Sequence, residues 1–400
     1  MTTSIITRGS GVSIAGRQSR GLSPAFSRAS AAYQSDGRLV GVGVPRFEMV
    51  GGRRGVLVEE GTTNYVPAAL RSAEWRTQLY NWDYGRLAVT AGDKIAISLD
   101  TRAVAGYSYG ERCLTVHLRD AQDQAIGGTG RQYNINTSSE RQTFLYDVTH
   151  AGDVFFYVVS HGPGYVFEYR CLQMEQKPYA TSFVDGTRAN DVLTLSTAVL
   201  GVRDEGPWSL ECWAQTSIAA SVWRMVMDAW PKFYVGISPS GQIGVSWKDG
   251  TQKVYYGPVL SGPSDWHHWV ITYDGANCRV HVDGVSVLDN PGNLSASFPG
   301  VIRIASAYGL GSPWNGHVQQ FRIHPRALSD EEIAAHAAGN IVAGDCYHYP
   351  FDGDLWPAPG SLGAVVAPAV ATRPGRIDVV TRGGSVDIIT RPGKLEVVKR

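Results

Sequence analysis

Residues 266–275, WHHWVITYDG, and 278–287, CRVHVDGVSV, decide how this chain is read. Each alternates large and polar side chains, the period of a strand with one buried face. The first stops at Asp274-Gly275, and the second turns on itself at Asp283-Gly284, a pair suited to a tight hairpin because both central residues take positive φ. Working outward, residues 314–338, WNGHVQQFRIHPRALSDEEIAAHAA, give a third alternating strand, a break at Pro325 and a short helix. Ser329 and Glu332 have the capping-box spacing that satisfies free N–H groups at a helix start.

Two strands, a hairpin, a third strand and a capped helix resemble the laminin-G-like, or concanavalin-A-like, jelly roll. The residues that carry the likeness are Trp266-His267-His268, Val282-Asp283-Gly284, Trp314 and Gly316 ahead of Phe321-Arg322-Ile323, and the run from Arg326 to Ile333. The resemblance spans about residues 190–340 and implies a β-sandwich able to display or contact glycans, as folds of this kind host many functions. It also includes glucanases, which need two carboxylates close together on one strand face, commonly as Glu-x-Asp-x-x-Glu. That pattern is missing here. Asp330-Glu331-Glu332 falls in the first helical turn, where it suits the cap and the helix dipole, so no catalytic residue is expected.

The 400 residues suggest about three domains at typical sizes, and 46 Gly with 11 Trp and 19 Tyr point to an all-β chain. Thirty-six basic residues balance 36 acidic ones, which argues against nucleic acid as the main partner. Cys113, Cys171, Cys212, Cys278 and Cys346 are odd in number, scattered and set in apolar patterns, and read as thiols rather than a disulfide frame or a zinc site. MTTSIITRGSG lacks the apolar core of an export signal, and no apolar run is long enough to insert in a membrane.

The expected architecture is two antiparallel β-sandwiches between two terminal segments. Residues 1–64 read as an extended anchoring leader. Within it, RASAAYQSDGRLVGVGVPRFE (28–48) and RRGVLVEEGTTNYV (53–66) look like the leader of tailed-phage appendage proteins, with Glu60-Gly61 departing slightly from the usual spacing. Residues 65–187 carry regularly spaced strands and end in LQMEQKPYATSFVDG (172–186), which is similar to the close of a carbohydrate-binding-module-like sandwich in the same proteins. Residues 188–340 are the jelly roll. Residues 341–371 form a linker whose Tyr349-x-Phe351-Asp352-Gly353 resembles a strand completing the sheet. Residues 372–400 repeat Thr-Arg-turn-strand three times with a period of nine, and SIITRGSGVSI (4–14) echoes them, so both termini are expected in one small sheet, either within a subunit or between neighbours.

Glycan contact needs an exposed ring with polar neighbours, and Trp230, Trp247, Tyr255, Tyr256, Tyr308 and Trp314 lie near expected turns. Trp208, Trp213, Trp266 and Trp269 sit in alternating strands and are expected in the core. His267 and His268 are adjacent on a strand and so face opposite ways, one packed and one solvated, which excludes their joint ligation of one metal. No metal or cofactor is expected. Calcium near Asp274, Asp283 or Asp352 is the minor alternative, because some laminin-G-like relatives bind it at loop carboxylates. Ile5, Ile6 and Arg8, with Arg373, Arg382 and Arg391 as a ladder paired to Asp378, Asp387 and Glu396, are the assembly candidates.

These readings converge on a non-enzymatic virion protein of a tailed phage or phage-like particle: a fibre, spike or capsid decoration assembled in the host cytoplasm and released by lysis. Its expected partners are other virion proteins, sister subunits in a homo-oligomer such as a trimer, and host cell-surface polysaccharide. A bacterial lectin-like adhesin and a polysaccharide depolymerase are the competing classes. Gene neighbours encoding capsid or tail proteins exclude the first, and release of reducing sugar from host capsule would signal the second.

Overall fold

The computed structural model describes residues 5–8, 11–18 and 24–399 apart from 78–84, 106–113, 128–129, 134–138, 161–165, 198–205, 217–222, 250, 292–299, 308–313, 342–345, 350, 352–363, 367–375, 382–383 and 392–393. It is all-β, and the described residues hold one α-helix, Asp330–Ala337.

In the jelly roll, alternating strands stack into two sheets. One runs Thr251–Val259, Gln242–Asp249, Phe233–Ile237, Arg224–Asp228, Val301–Ile304, Val192–Ser196, Ala25–Ser27. The other runs Val285–Pro291, Asn277–Val282, His267–Tyr273, Trp208–Thr216, Gly316–His324, Arg53–Val58, Arg46–Val50, with Tyr347–Tyr349 also paired to Gly316–His324. Inward-pointing Leu193, Leu195, Trp208, Leu210, Met227, Val235, Val245, Trp269, Ile271, Ile304 and Phe321 meet in one buried core between them. The Asp283-Gly284 hairpin forms as read, with φ of 53° and 82° and Val282 opposite Val285. The helix starts on a complete Ser329–Glu332 capping box. It rests on the outer face of the second sheet, where Ile333 and Leu328 pack on Val270.

Residues 65–187 fold as a second, smaller sandwich of two four-stranded sheets. Their order is Arg86–Val89, Gly152–Ser160, Leu114–Asp120, Arg131–Tyr133 in one, and Glu140–Asp147, Lys94–Ala105, Val166–Glu175, Arg76–Thr77 in the other. The sheets enclose Ile95, Ile97, Leu99, Val116, Phe156, Phe167 and Met174.

Within the segment expected as an extended anchoring leader, residues 25–27 and 46–58 are part of the jelly roll. Ala25–Ser27 pairs with Val192–Ser196, and the Arg46–Val50/Arg53–Val58 hairpin pairs through Val56–Val58 with Gly316–Val318. Val56 and Val58 are fully buried in the jelly-roll core, which accounts for the apolar run there. The motif residues of this segment converge on a buried joint between the sandwiches. Asp191 takes Arg28 at 3.3 Å and Arg46 at 2.7 Å, and Glu59 takes Arg46 at 2.8 Å and Arg188 at 2.9 Å. Ser182 donates its backbone N–H and hydroxyl to Glu59 at 2.9 and 2.6 Å. Burial alone would push the Glu59 carboxyl up, but the two guanidiniums and Ser182 outweigh it and hold the group well below the usual carboxylate range. Beside this joint Thr62 donates to Glu175 at 2.6 Å, and Asn64 donates to the Leu172 and Val184 carbonyls at 3.0 and 2.9 Å.

Among the described residues of one chain the termini do not share a sheet. Ile5–Arg8, which holds Ile5, Ile6 and Arg8, pairs with Gly11–Gln18, and that strand pairs with Ala364–Val366. The three tail repeats form their own antiparallel meander, Arg376–Thr381, Gly384–Arg391 and Lys394–Lys399. Successive repeats therefore run in opposite directions, and equal spacing does not stack them as a ladder. Asp378 stands opposite Asp387, Glu396 opposite Ile389 and Arg391 opposite Lys394, so within this meander Arg391 does not face one of the expected acidic partners. Arg373 and Arg382 lie outside the described residues.

Candidate functional site

The outward positions of the first jelly-roll sheet form two adjoining rows. Strand pairing lines up Thr194, Arg303, Asp228, Tyr234, Ser246 and Val254 in one. In the next, Met225, Gly236, Gly244 and Tyr256 follow one another. The intervening positions, Ile304, Met227, Val235 and Val245, belong to the core, so these rows are turned away from it.

Three rings gather on this face. Trp223 lies 5.9 Å from Tyr256 at 31° and meets Tyr234 edge-on at 5.7 Å. Gly244 makes room for the indole: a Cβ there would come within 2.5 Å of Trp223 Cη2. The side-chain-free backbone thus forms a floor on which Trp223 lies, and Tyr256, 53% exposed, offers its ring to solvent beside it. Asp228 is buried and accepts a hydrogen bond from the Trp230 backbone N–H at 2.7 Å, which ties the neighbouring hairpin tip to the row. Trp230 at that tip is 39% exposed. A flat aromatic surface with hydroxyl and carboxylate neighbours suits the C–H face of a sugar ring.

Among the six rings singled out in the sequence, Tyr256 and Trp230 are therefore exposed on or near one face. Tyr255 pairs with Val245 and packs against the core, since adjacent strand residues point to opposite sides. Trp314 is a correction: it is 1% exposed, donates Nε1–H to the Gln215 carbonyl at 2.8 Å and meets Trp269 edge-on at 5.8 Å. The Trp247 backbone pairs with Phe233, while its side chain and Tyr308 lie outside the described residues. Trp223 and Tyr234 escaped the sequence reading. Tyr234 alternates in an otherwise core-forming strand, and only pairing shows which parity faces out.

Trp208, Trp213 and Trp269 are buried as expected, whereas Trp266 seals the N-terminal hairpin by donating to the Val50 carbonyl at 2.7 Å. Neither His267 nor His268 is solvated. His267 bridges Asp283 at 2.7 Å and the Gly262 carbonyl at 3.0 Å, and His268 faces buried Glu211 at 3.1 Å. Cys171, Cys212 and Cys278 are buried free thiols, and burial pushes Cys171 up to about 12.

Residues 185–334 match the family model described as the concanavalin A-like lectin/glucanases superfamily. Over this stretch, less than half of the chain, the fold is a concanavalin A-like jelly roll. As folded it also takes in the strands Ala25–Ser27, Arg46–Val50, Arg53–Val58 and Tyr347–Tyr349, which lie beyond the matched residues. The chain is similar at 13% identity and a TM-score of 0.32 to a botulinum neurotoxin serotype D/C binding domain, over 39% of this chain and 42% of that one. Domain 4 of a GH43 extracellular arabinanase from Geobacillus stearothermophilus, in complex with arabinotriose, is similar at 14% identity and a TM-score of 0.31, over 40% and 80%. A sialidase CBM40 from Ruminococcus gnavus is similar at 12% identity and a TM-score of 0.29, over 35% and 86%. No curated protein matches the chain.

Proposed function

We propose that this is a non-enzymatic display protein that contacts saccharides through the outer face of its concanavalin A-like domain. The observation that carries the reading is the Trp223–Tyr234–Tyr256 cluster over Gly244, an aromatic surface built on the sheet rather than on loops. Asp228 is the single carboxylate among the described residues of the outward row, and it is committed to the Trp230 backbone. A glycosidase requires two carboxyl groups about 5–9.5 Å apart across the scissile bond. Ring stacking needs no bound ion.

The wider setting we infer is a tailed-phage or phage-like particle, as a fibre, spike or capsid decoration with host polysaccharide as the outer partner. The likeness of residues 28–66 and 172–186 to phage appendage proteins supports this, and their tightly packed joint gives such a projection stiffness. Binding of the intact protein to an array of bacterial surface polysaccharides, beside the Tyr256→Ala variant, tests the saccharide reading. Retention by the parent and loss in the variant is the expected result. Equal retention by both, or none by the parent, overturns it. Locating the polypeptide in imaged particles tests the setting.

A further inference from the structure

The opposite sheet of the same domain carries a second cluster, and it has no part in the saccharide face. Glu211 lies fully buried on the outer side of Trp208–Thr216, beneath the helix. His336 reaches down from the helix to donate Nδ1–H to Glu211 Oε2 at 2.9 Å, and His324 brings Nε2 to 3.3 Å from Oε1. His268 donates to Oε2 at 3.1 Å, and Arg322 Nη1 donates to Oε1 at 3.0 Å. A carboxylate ringed by imidazoles is a donor set for a borderline-soft ion rather than for calcium, which takes oxygen ligands.

We propose that Glu211, His324 and His336 form a buried site for one divalent transition-metal ion of the zinc class. One carboxylate oxygen and one nitrogen from each histidine lie within 4.8 Å of one another. His336 Nδ1 stands 2.9 Å from Oε2 and His324 Nε2 3.3 Å from Oε1, close to the roughly 3.3 Å between neighbouring donors of a tetrahedral ion with ligands at about 2.0–2.1 Å, so the ion would sit between the two nitrogens and across the carboxylate.

A second observation points to a ligand. Both ring nitrogens of His324 and Nε2 of His336 are buried without a hydrogen-bond partner. Unpaired polar atoms in a dry interior are costly, and a metal would take the His324 lone pair directly. His336 would ligate through Nδ1 with its proton moved to Nε2. Ligation would require both imidazoles in the neutral form. His268 and Arg322 remain on the carboxylate, orienting it and keeping it ionised. The ion would tie the helix to the sheet.

The test uses the full chain, stripped by chelator dialysis and reloaded with zinc or cobalt chloride, beside His324→Gln and His336→Gln. Glu211→Gln is avoided because it strands Arg322. Elemental analysis should find about one ion per chain. Cobalt should give visible bands of low-symmetry coordination. Each variant, folded by circular dichroism, should bind at least tenfold more weakly. No retained ion in the folded parent, or equal retention in the variants, overturns the proposal and leaves a hydrogen-bonded carboxylate that anchors the helix.

Discussion

The two outer faces of the jelly roll arise from the same alternation and end with opposite chemistry. On one, His348, Arg322, Glu211, Val270 and His281 line up across five strands, and the helix covers the charge. On the other, Asp228, Tyr234 and Ser246 stand beside Gly236, Gly244 and Tyr256, and rings lie on bare backbone. The first face uses its polar groups internally, while the second leaves hydroxyls and ring surface turned outward. A burial pattern in one strand therefore says little about whether its outward residues meet solvent.

Replacing Glu211 by Gln should break the covered face most severely. Buried Arg322 would lose its counter-charge, at a cost of about 3–5 kcal/mol in urea unfolding. A loss below about 1 kcal/mol would mean that water reaches this face. On the exposed side, Trp223→Ala should weaken saccharide binding by about 2 kcal/mol, roughly thirtyfold by calorimetry, with the fold kept. Unchanged affinity would move the contact elsewhere.

Gly244→Val sharpens the contrast, because the new side chain collides with Trp223. A cost of about 1–3 kcal/mol is expected, with saccharide affinity falling alongside. Ser329→Ala removes the helix cap and should cost about 1 kcal/mol, without touching the saccharide face.

The smallest effect belongs to His267 and Asp283. Burial would lower His267, but its bonds to Asp283 and the Gly262 carbonyl outweigh that and raise it. This stabilisation is full below the unfolded value of about 6.5 and fades as pH rises through the folded one. Burial would raise Asp283, yet its bond to His267 lowers it, so its share is present above about pH 4 and lost as pH falls. The stability gap between the parent and Asp283→Asn should accordingly be widest between about pH 4 and 6.5. A gap independent of pH would show that the pair is not charged.

Features written in local spacing were legible in the sequence. The Asp283-Gly284 hairpin and the Ser329–Glu332 box depend on partners within a few residues, and both form as read. The motif residues Arg28, Arg46 and Glu59 were conspicuous, but their role was not. Arg28 and Arg46 meet Asp191 at separations of 163 and 145 residues, and Glu59 meets Arg188 at 129. These residues form a joint within the chain. The aromatic face was half visible: Tyr256 and Trp230 stood out near turns, while Trp223 and Tyr234 required the register.

By itself the sequence determined that this is an all-β chain with a concanavalin A-like sandwich and where its tightest turn and its helix begin. Those depend on alternation, turn chemistry and capping, which act over a few residues. Only the tertiary structure decided that the N-terminal segment completes both sheets, that the helix closes over Glu211, and that one face is left to aromatics. Alternation fixes which residues point outward, but the cover they receive depends on which distant segment crosses them.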